Sequence, residues 1–266
     1  VTDGGDAAPA GFDFGANWLA FSAALRPEQL DAARASLLRH LPADSWRGRR
    51  VVDVGCGSGL FAVAMAQLGA DVTAVDVNAK SVEATRLNAA RFLGADAARV
   101  ASRVASILDD EFVRANAERF DVVYSWGVLH HTGAMDRAVA NALALVKRDG
   151  FAVIALYDRH WTSPVWRVIK CVYCALPGPL ATLYAALFVP VIAAAKFAVS
   201  GKNPFRKERG MSFWRDVVDW VGGYPYEYVG PDEFARRMSA AGFACRVSAP
   251  ADTPIGCNEF FVRRET

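Results

Sequence analysis

The stretch Val51-Val52-Asp53-Val54-Gly55-Cys56-Gly57-Ser58-Gly59 constrains this chain more than any other. A short apolar strand carrying one acid runs into a turn with glycine at every second position, and a helix-forming run starts at Leu60. A second apolar run, Val72 to Val75, ends in Asp76. Glycines permit close backbone approach, and the first turn of a helix directs unpaired amides at whatever lies before it. An acid at the end of the second strand accepts from sugar hydroxyls. The unit therefore predicts a pocket for an adenosine group with a charged tail.

The glycine pattern alone leaves two adenosine ligands open. A nicotinamide-dinucleotide fingerprint prefers a small residue where Leu60 stands, because its third glycine brings helix and strand together around the pyrophosphate. Leu60 argues against that reading, which would make the chain an oxidoreductase with room for two nucleotides. A noncatalytic sensor of an adenosine ligand is a third class.

Strands and helices alternate from here, as in a sheet covered on both faces. Strands are expected at 51–54, 72–75, between Ala98 and Ser106, at 120–124 and at 151–157. Helices are expected at about 60–68, from Val82 to Leu87 and Ala89 before Gly94, and from Met135 to Val146. A helix from Pro231 to Ala241 and strands at 243–247 and 259–262 close the chain. The fold class is α/β: a Rossmann-like, doubly wound, mostly parallel seven-stranded sheet with a helical lid and an insertion. Four regions are expected: an N-terminal helical lid (1–50), a cofactor-binding core (51–160), a hydrophobic helical insertion with an aromatic substrate loop (161–230), and a C-terminal helix and strands completing the sheet (231–266).

The combination of Asp53 to Gly59 with Asp76 resembles the class I methyltransferases that use S-adenosylmethionine, over roughly residues 50 to 160. That resemblance implies Gly55 and Gly57 against the methionine part, Asp53 orienting its amino end and Asp76 accepting both ribose hydroxyls, with Cys56 and Val77 also expected among the cofactor-binding residues. Ser106 and Ile107, after the third strand, would border the adenine, and Ser125 and Trp126 would touch the methionyl moiety. Read as residues, Leu108 is equally a core side chain and Asp109 a cap for the next helix.

Tyr124-Ser125-Trp126-Gly127-Val128-Leu129-His130-His131-Thr132 lies at the carboxyl end of strand four, where an open α/β sheet exposes reactive groups. The donor methyl is already activated, so the protein must align a nucleophile, exclude water and, for a hydroxyl, take a proton. An imidazole with a pKa near ~6.5 suits that task. His131 is expected as base or substrate orienter, with His130 second. Asp158 and His160 hold the corresponding place after strand five. Trp18, Tyr224, Tyr226, Glu227 and Tyr228 are candidate substrate-wall residues, Glu227 also a second base or amine-binding acid.

No Asp, Glu, Lys, Arg or His falls between Lys170 and Lys196. Pro177, Gly178, Pro179 and Pro190 are expected to divide this run into short helical pieces. It is read as a lid or contact with a second copy, or as a peripheral membrane contact through 171–195. Thirty basic against 28 acidic side chains, net +2, argue against a nucleic-acid partner. Five cysteines and the small, acidic opening of the chain read as a cytoplasmic protein, possibly membrane-associated only through that insertion. Cys171 and Cys174 have half a zinc spacing, but none of the four histidines completes it, and no metal is expected.

The order of insertion, aromatic turn and Pro231-Asp232-Glu233-Phe234, with Asn17-Trp18, Trp126 to His131 and Gly222 to Glu227, resembles a subgroup related to the ubiquinone-pathway O-methyltransferases. Those enzymes carry an acid–histidine pair where this chain has His130-His131. Sugars, nucleoside-like products and other specialised metabolites stay open as acceptors. Oxygen is the expected nucleophile and nitrogen, on a small molecule or a peptide, the alternative.

Overall fold

The computed structural model describes residues 25–200, 213–251, 253 and 256–265. The described residues fall into two compact units, a larger one of residues up to 160 together with those from 227 on, and a smaller one within 161–226.

The larger unit is built on one seven-stranded sheet. Its strands are β1 (Arg50–Val54), β2 (Asp71–Asp76), β3 (Val100–Val104), β4 (Phe120–Trp126), β5 (Val146–Tyr157), β6 (Phe243–Ala249) and β7 (Cys257–Arg264), in the order β3-β2-β1-β4-β5-β7-β6. All neighbours from β3 to β5 are parallel, while β7 runs antiparallel to both β5 and β6. Successive side chains along a strand face opposite layers. Val51, Val122 and Val153 thus join a core with Leu30 and Leu37 of α1 (Pro27–Leu37), Val63 and Met65 of α2 (Leu60–Gln67), and Ala89 of α3 (Ala79–Leu93). Val52, Val123 and Ile154 join the opposite core with Phe112 of α4 (Asp110–Asn116), Val139 and Leu143 of α5 (Met135–Ala144), and Phe234 and Met238 of the Pro231–Ala240 helix.

Three expectations shift. Residues 27–50 form part of the core: Leu30, Leu37 and Trp46 are fully buried in the cluster that holds Val51. Burying those side chains favours folding by roughly 1.5–3 kcal/mol each, which fastens the segment to the sheet. Strand β4 continues through Ser125 and Trp126, because Ser125↔Ile154 and Trp126↔Ala155 prolong its pairing with β5. Strand β5 begins at Val146, five residues early, through an irregular pairing with Phe120.

In the smaller unit α6 (Ser163–Ala175), α7 (Gly178–Ser200) and α8 (Phe213–Gly222) pack around Ala185, Ile192, Val217 and Val221. The expected break at Pro190 does not occur, and α7 runs through it. The proline ring forfeits the bond to the Ala186 carbonyl. Apolar packing of Tyr184, Phe188, Val189 and Ile192 on both sides of the proline holds the helix together. The Lys170 ammonium is buried, donating to the Trp220 carbonyl at 2.5 Å and lying 5.1 Å from the Tyr226 ring centroid. The α9 helix is Pro231–Ala240, in the larger unit.

Candidate functional site

The glycine turn is held on its own sheet. Gly55 and Cys56 donate to the Val75 carbonyl at 2.7 and 3.0 Å, so the turn after β1 hangs from the end of β2. Gly55, Gly57 and Gly59 all have positive φ, a conformation that costs other residues roughly 1–2 kcal/mol. A Cβ on Gly55 would fall 2.3 Å from Val128 Cγ2, so the loop after β4 closes directly over the turn. A Cβ on Gly59 would meet the Thr85 backbone at 2.8 Å. Thr85 and Asn88, buried on α3, support the turn from behind: Thr85 Oγ1 donates to Cys56 Sγ (3.2 Å) and Gly57 O (3.3 Å), and Asn88 Nδ2 donates to Ser58 O (2.8 Å). The Cys56 side chain is buried against Thr85. Burial, with Asp53 and Asp76 nearby, pushes its thiol pKa far up.

Two acids set the electrostatics. The Asp76 carboxylate accepts from Asn78 N at 2.9 Å and Gly57 N at 3.1 Å, which fixes it at the end of β2. Burial raises its pKa against those bonds. Asp53 is buried, and its Oδ2 meets no hydrogen-bond partner among the described residues. Burial first, then the charge of Asp76, lift its pKa to about 7, with the Ala62 amide drawing it partly back. A buried carboxylate oxygen without a donor is costly, and a cationic ammonium group answers it. Val77 beside Asp76 is an exposed apolar side chain, suited to one face of a planar base. The residues present therefore fit a nucleoside that carries an amino-acid tail.

The loop after β3 is ordered by its own polar groups. Ser106 Oγ accepts from Leu108 N (3.1 Å), and Asp109 caps α4 by accepting from Glu111 N (2.9 Å). Ile107 lies in the core, its carbonyl accepting from Asn141 Nδ2 at 2.8 Å, with Leu108 partly buried against the same cluster. Ser125, also buried, donates to Val54 O at 3.1 Å and so joins β4 to β1. Trp126 at the strand tip is exposed and stacks on Phe61 at 6.5 Å between centroids.

The two adjacent histidines differ in placement. His130 is fully buried; its Nδ1 accepts from Tyr157 N at 3.2 Å, and its carbonyl accepts from Glu227 N at 3.0 Å. The ring thus ties the loop after β4 to the end of β5. His131 is half-buried, with its ring edge-on to Tyr157 at 5.4 Å. Asp158 donates its amide to Gly256 O at 2.8 Å, while its buried Oδ1 meets no hydrogen-bond partner among the described residues.

Comparison with known proteins decides the family: a model described as "Methyltransferase domain" matches residues 25–246. The chain belongs to the class I S-adenosylmethionine-dependent methyltransferases. This methyltransferase is 32% identical over 172 residues to the ubiquinone biosynthesis O-methyltransferase of Bordetella avium, covering 64% of this chain and 68% of that one. With the enzyme of the same name from Rhodopseudomonas palustris it shares 29% over 126 residues, about half the length of either chain (47% of each). Among solved structures, magnesium protoporphyrin IX methyltransferase of Synechocystis with bound S-adenosylhomocysteine superposes with a TM-score of 0.55 at 15% identity, covering 96% of this chain and 90% of that one. An N1-methyltransferase of Burkholderia thailandensis gives 0.52 at 18% identity, covering 100% and 94%. The structures share the fold, and S-adenosylmethionine is the cofactor that the pocket binds.

The remaining candidates of the methyltransferase take varied places. The Glu227 carboxylate accepts from Met135 N with both oxygens, at 3.2 and 3.0 Å, and so caps α5. Ala134, at the capping position, has no side-chain acceptor. The expected substrate-side carboxylate thus also serves as a helix cap. Tyr228 is half-buried under the Arg159 guanidinium, 5.6 Å from the ring centroid, and Arg159 is held by Glu233 at 2.7 Å. His160 is half-buried at the end of the same unit. Tyr224 and Tyr226 belong to the smaller unit, Tyr226 buried there beside Lys170. Trp18 lies outside the described residues.

Reading the sequence missed Tyr124 and Glu259. Tyr124 pairs in register with Asp53 across β1 and β4, and its buried hydroxyl has no hydrogen-bond partner among the described residues. Burial, then Glu259 and Asp53, push that phenol well above its ordinary pKa. Glu259 is buried on β7, 3.2 Å from His40 Nε2 and bonded by Ser248 Oγ at 3.0 Å. The available signal was polar residues within strands that otherwise read as wholly apolar.

Proposed function

We propose that this methyltransferase transfers a methyl group to a hydroxyl of a small specialised-metabolite acceptor, with His131 as the base or substrate orienter. The observation that carries this reading is the division of labour between the two histidines. His130 spends its Nδ1 on the backbone of β5, whereas His131 stands half-buried at the carboxyl end of the sheet. S-adenosylmethionine supplies a methyl already activated on a sulfonium, so the chain needs only to align the acceptor and receive its proton. Asp53 and Asp76 hold the two polar ends of the cofactor. Val128 over Gly55 and the Phe61–Trp126 stack give the reacting end apolar walls that exclude water. The curated relatives named as O-methyltransferases support oxygen as the acceptor atom.

Nitrogen is the second reading, and a specific observation favours it. The buried Asp158 Oδ1, without a hydrogen-bond partner among the described residues, would hold an amine. Replacing His131 by Asn decides between them. For a hydroxyl acceptor, kcat falls about 10²–10⁴-fold while calorimetric affinity for S-adenosylhomocysteine is unchanged. If kcat survives H131N and collapses in D158N, the acceptor is nitrogen and the hydroxyl reading is wrong.

A further inference from the structure

Two buried polar atoms on neighbouring strands have no hydrogen-bond partner among the described residues: Asp53 Oδ2 on β1 and Tyr124 Oη on β4. The two residues pair in register, so their side chains leave the same face of the sheet from strands about 4.8 Å apart. Both lie under the first turn of α2. The Ala62 amide bonds the Asp53 carboxyl, and the ring of Phe61, one residue earlier, packs on the Tyr124 ring at 4.8 Å between centroids. Phe61 continues the same aromatic surface to Trp126 at the strand tip. Tyr124 is 1% exposed. Its hydroxyl adds nothing to this stacking, which a phenylalanine ring would supply equally, and burying the oxygen unbonded costs stability.

The surroundings of this hydroxyl are acidic. In the strand order β4 lies between β1, which carries Asp53, and β7, which carries Glu259. Burial, then the charges of Glu259 and Asp53, keep the phenol neutral by raising its pKa far above the ordinary value. Glu259 is already engaged: its Oε1 accepts from Ser248 Oγ at 3.0 Å, with His40 Nε2 at 3.2 Å and Arg39 Nη2 at 3.4 Å. Asp53 Oδ2 and Tyr124 Oη are not. A neutral phenol can donate or accept, and the field of two acids favours turning its lone pairs toward a cation. We infer that Tyr124 is the second acceptor for the ammonium of S-adenosylmethionine, its Oη forming with Asp53 Oδ2 a two-point seat beneath the first turn of α2. This rests on the reading in which Asp53 meets the amino end of the cofactor, and it adds the residue that orients that end. One acceptor sets a distance, whereas two set a direction for the amino-acid tail. Tyr124 is thus a positioning residue for the donor.

The test is calorimetry of the full chain with three adenosine ligands, which reads binding independently of methyl transfer. The variant Tyr124→Phe should match the parent in circular dichroism. It should bind S-adenosylhomocysteine about 10- to 100-fold more weakly, the loss of one hydrogen bond to a charged group. Two other ligands should bind variant and parent alike: 5′-methylthioadenosine, which lacks the amino-acid tail, and the deaminated analogue of S-adenosylhomocysteine, which keeps the carboxylate without the ammonium. Asp53→Asn, measured alongside, tests the underlying reading by itself and should weaken S-adenosylhomocysteine while 5′-methylthioadenosine binding holds. Unchanged S-adenosylhomocysteine affinity in Tyr124→Phe overturns the inference, and leaves the reading of Asp53 standing where Asp53→Asn shows its loss. Equal losses on all three ligands overturn it by reducing Tyr124 to packing. A loss on the deaminated analogue overturns it by making the phenol a partner of the carboxylate. Full affinity in Asp53→Asn refutes the reading of Asp53, and the two-point seat with it.

Discussion

Replacing Asp53 by Asn removes the group whose ionisation the fold opposes most directly. A carboxyl raised from 3.8 to about 7 by burial and by Asp76 corresponds to roughly 4 kcal/mol of native-state destabilisation once it is ionised. The native state binds the extra proton between those two values, so unfolding free energy falls as pH rises across that window and levels off above it. Relative to the parent, D53N should therefore gain on the order of 4 kcal/mol between about pH 4 and pH 8, in urea titrations of the cofactor-free protein. The same group links to binding. An ammonium placed against Asp53 Oδ2 favours the anion, so cofactor binding near about pH 6 should release close to one proton. Calorimetry in buffers of different ionisation enthalpy measures that release, and D53N should reduce it. Parallel stability curves for parent and variant, with equal proton release, would refute the argument that Asp53 is a buried, proton-holding partner of the cofactor's amino end.

The remaining predictions concern packing and capping. Gly55→Ala should cost about 2–5 kcal/mol from positive φ and overpacking on Val128; adding Val128→Ala should recover the steric share and leave roughly 1–2 kcal/mol, measured by denaturant unfolding. No recovery would mean that Val128 does not press on the turn. Tyr124→Phe should leave the free protein as stable or up to about 1 kcal/mol more stable, since it deletes a buried hydroxyl without a hydrogen-bond partner among the described residues. A clear loss of stability would reveal a partner for the phenol. Glu227→Ala should lower stability by about 1–2 kcal/mol through the uncapped start of α5, while cofactor affinity holds; loss of kcat at unchanged stability would return Glu227 to the chemistry.

The strand, turn and helix of the candidate cofactor pocket were legible because they are set by local backbone. A strand, a glycine turn and a helix N-terminus are written in neighbouring residues, and Asp76 closes the next strand at a spacing that β-α-β geometry dictates. Strand alternation likewise placed the cores, since Val51 and Val52 must face opposite layers. Pro190 misled because proline propensity is local. A proline costs an exposed helix roughly 3 kcal/mol, an amount that the burial of Ile192 and its neighbours on both sides of it offsets.

The acceptor half was harder to read because its side chains take their roles from segments far apart in the chain. Adjacent histidines look equivalent in sequence, yet the loop segment that brings Glu227 N to His130 O and the bond from Tyr157 N to the His130 ring hold His130 against the backbone. Glu227 looked like an acid beside three tyrosines. It serves a helix that starts 92 residues earlier, and only tertiary structure shows that Ala134 leaves that helix without a side-chain cap. The same logic makes His131 the informative position. Its neighbours His130 and Glu227 both bond to the surrounding backbone. A substitution that loosens the His130–Tyr157 bond should therefore impair turnover through His131 while leaving the Asp53–Asp76 pocket and its cofactor affinity intact.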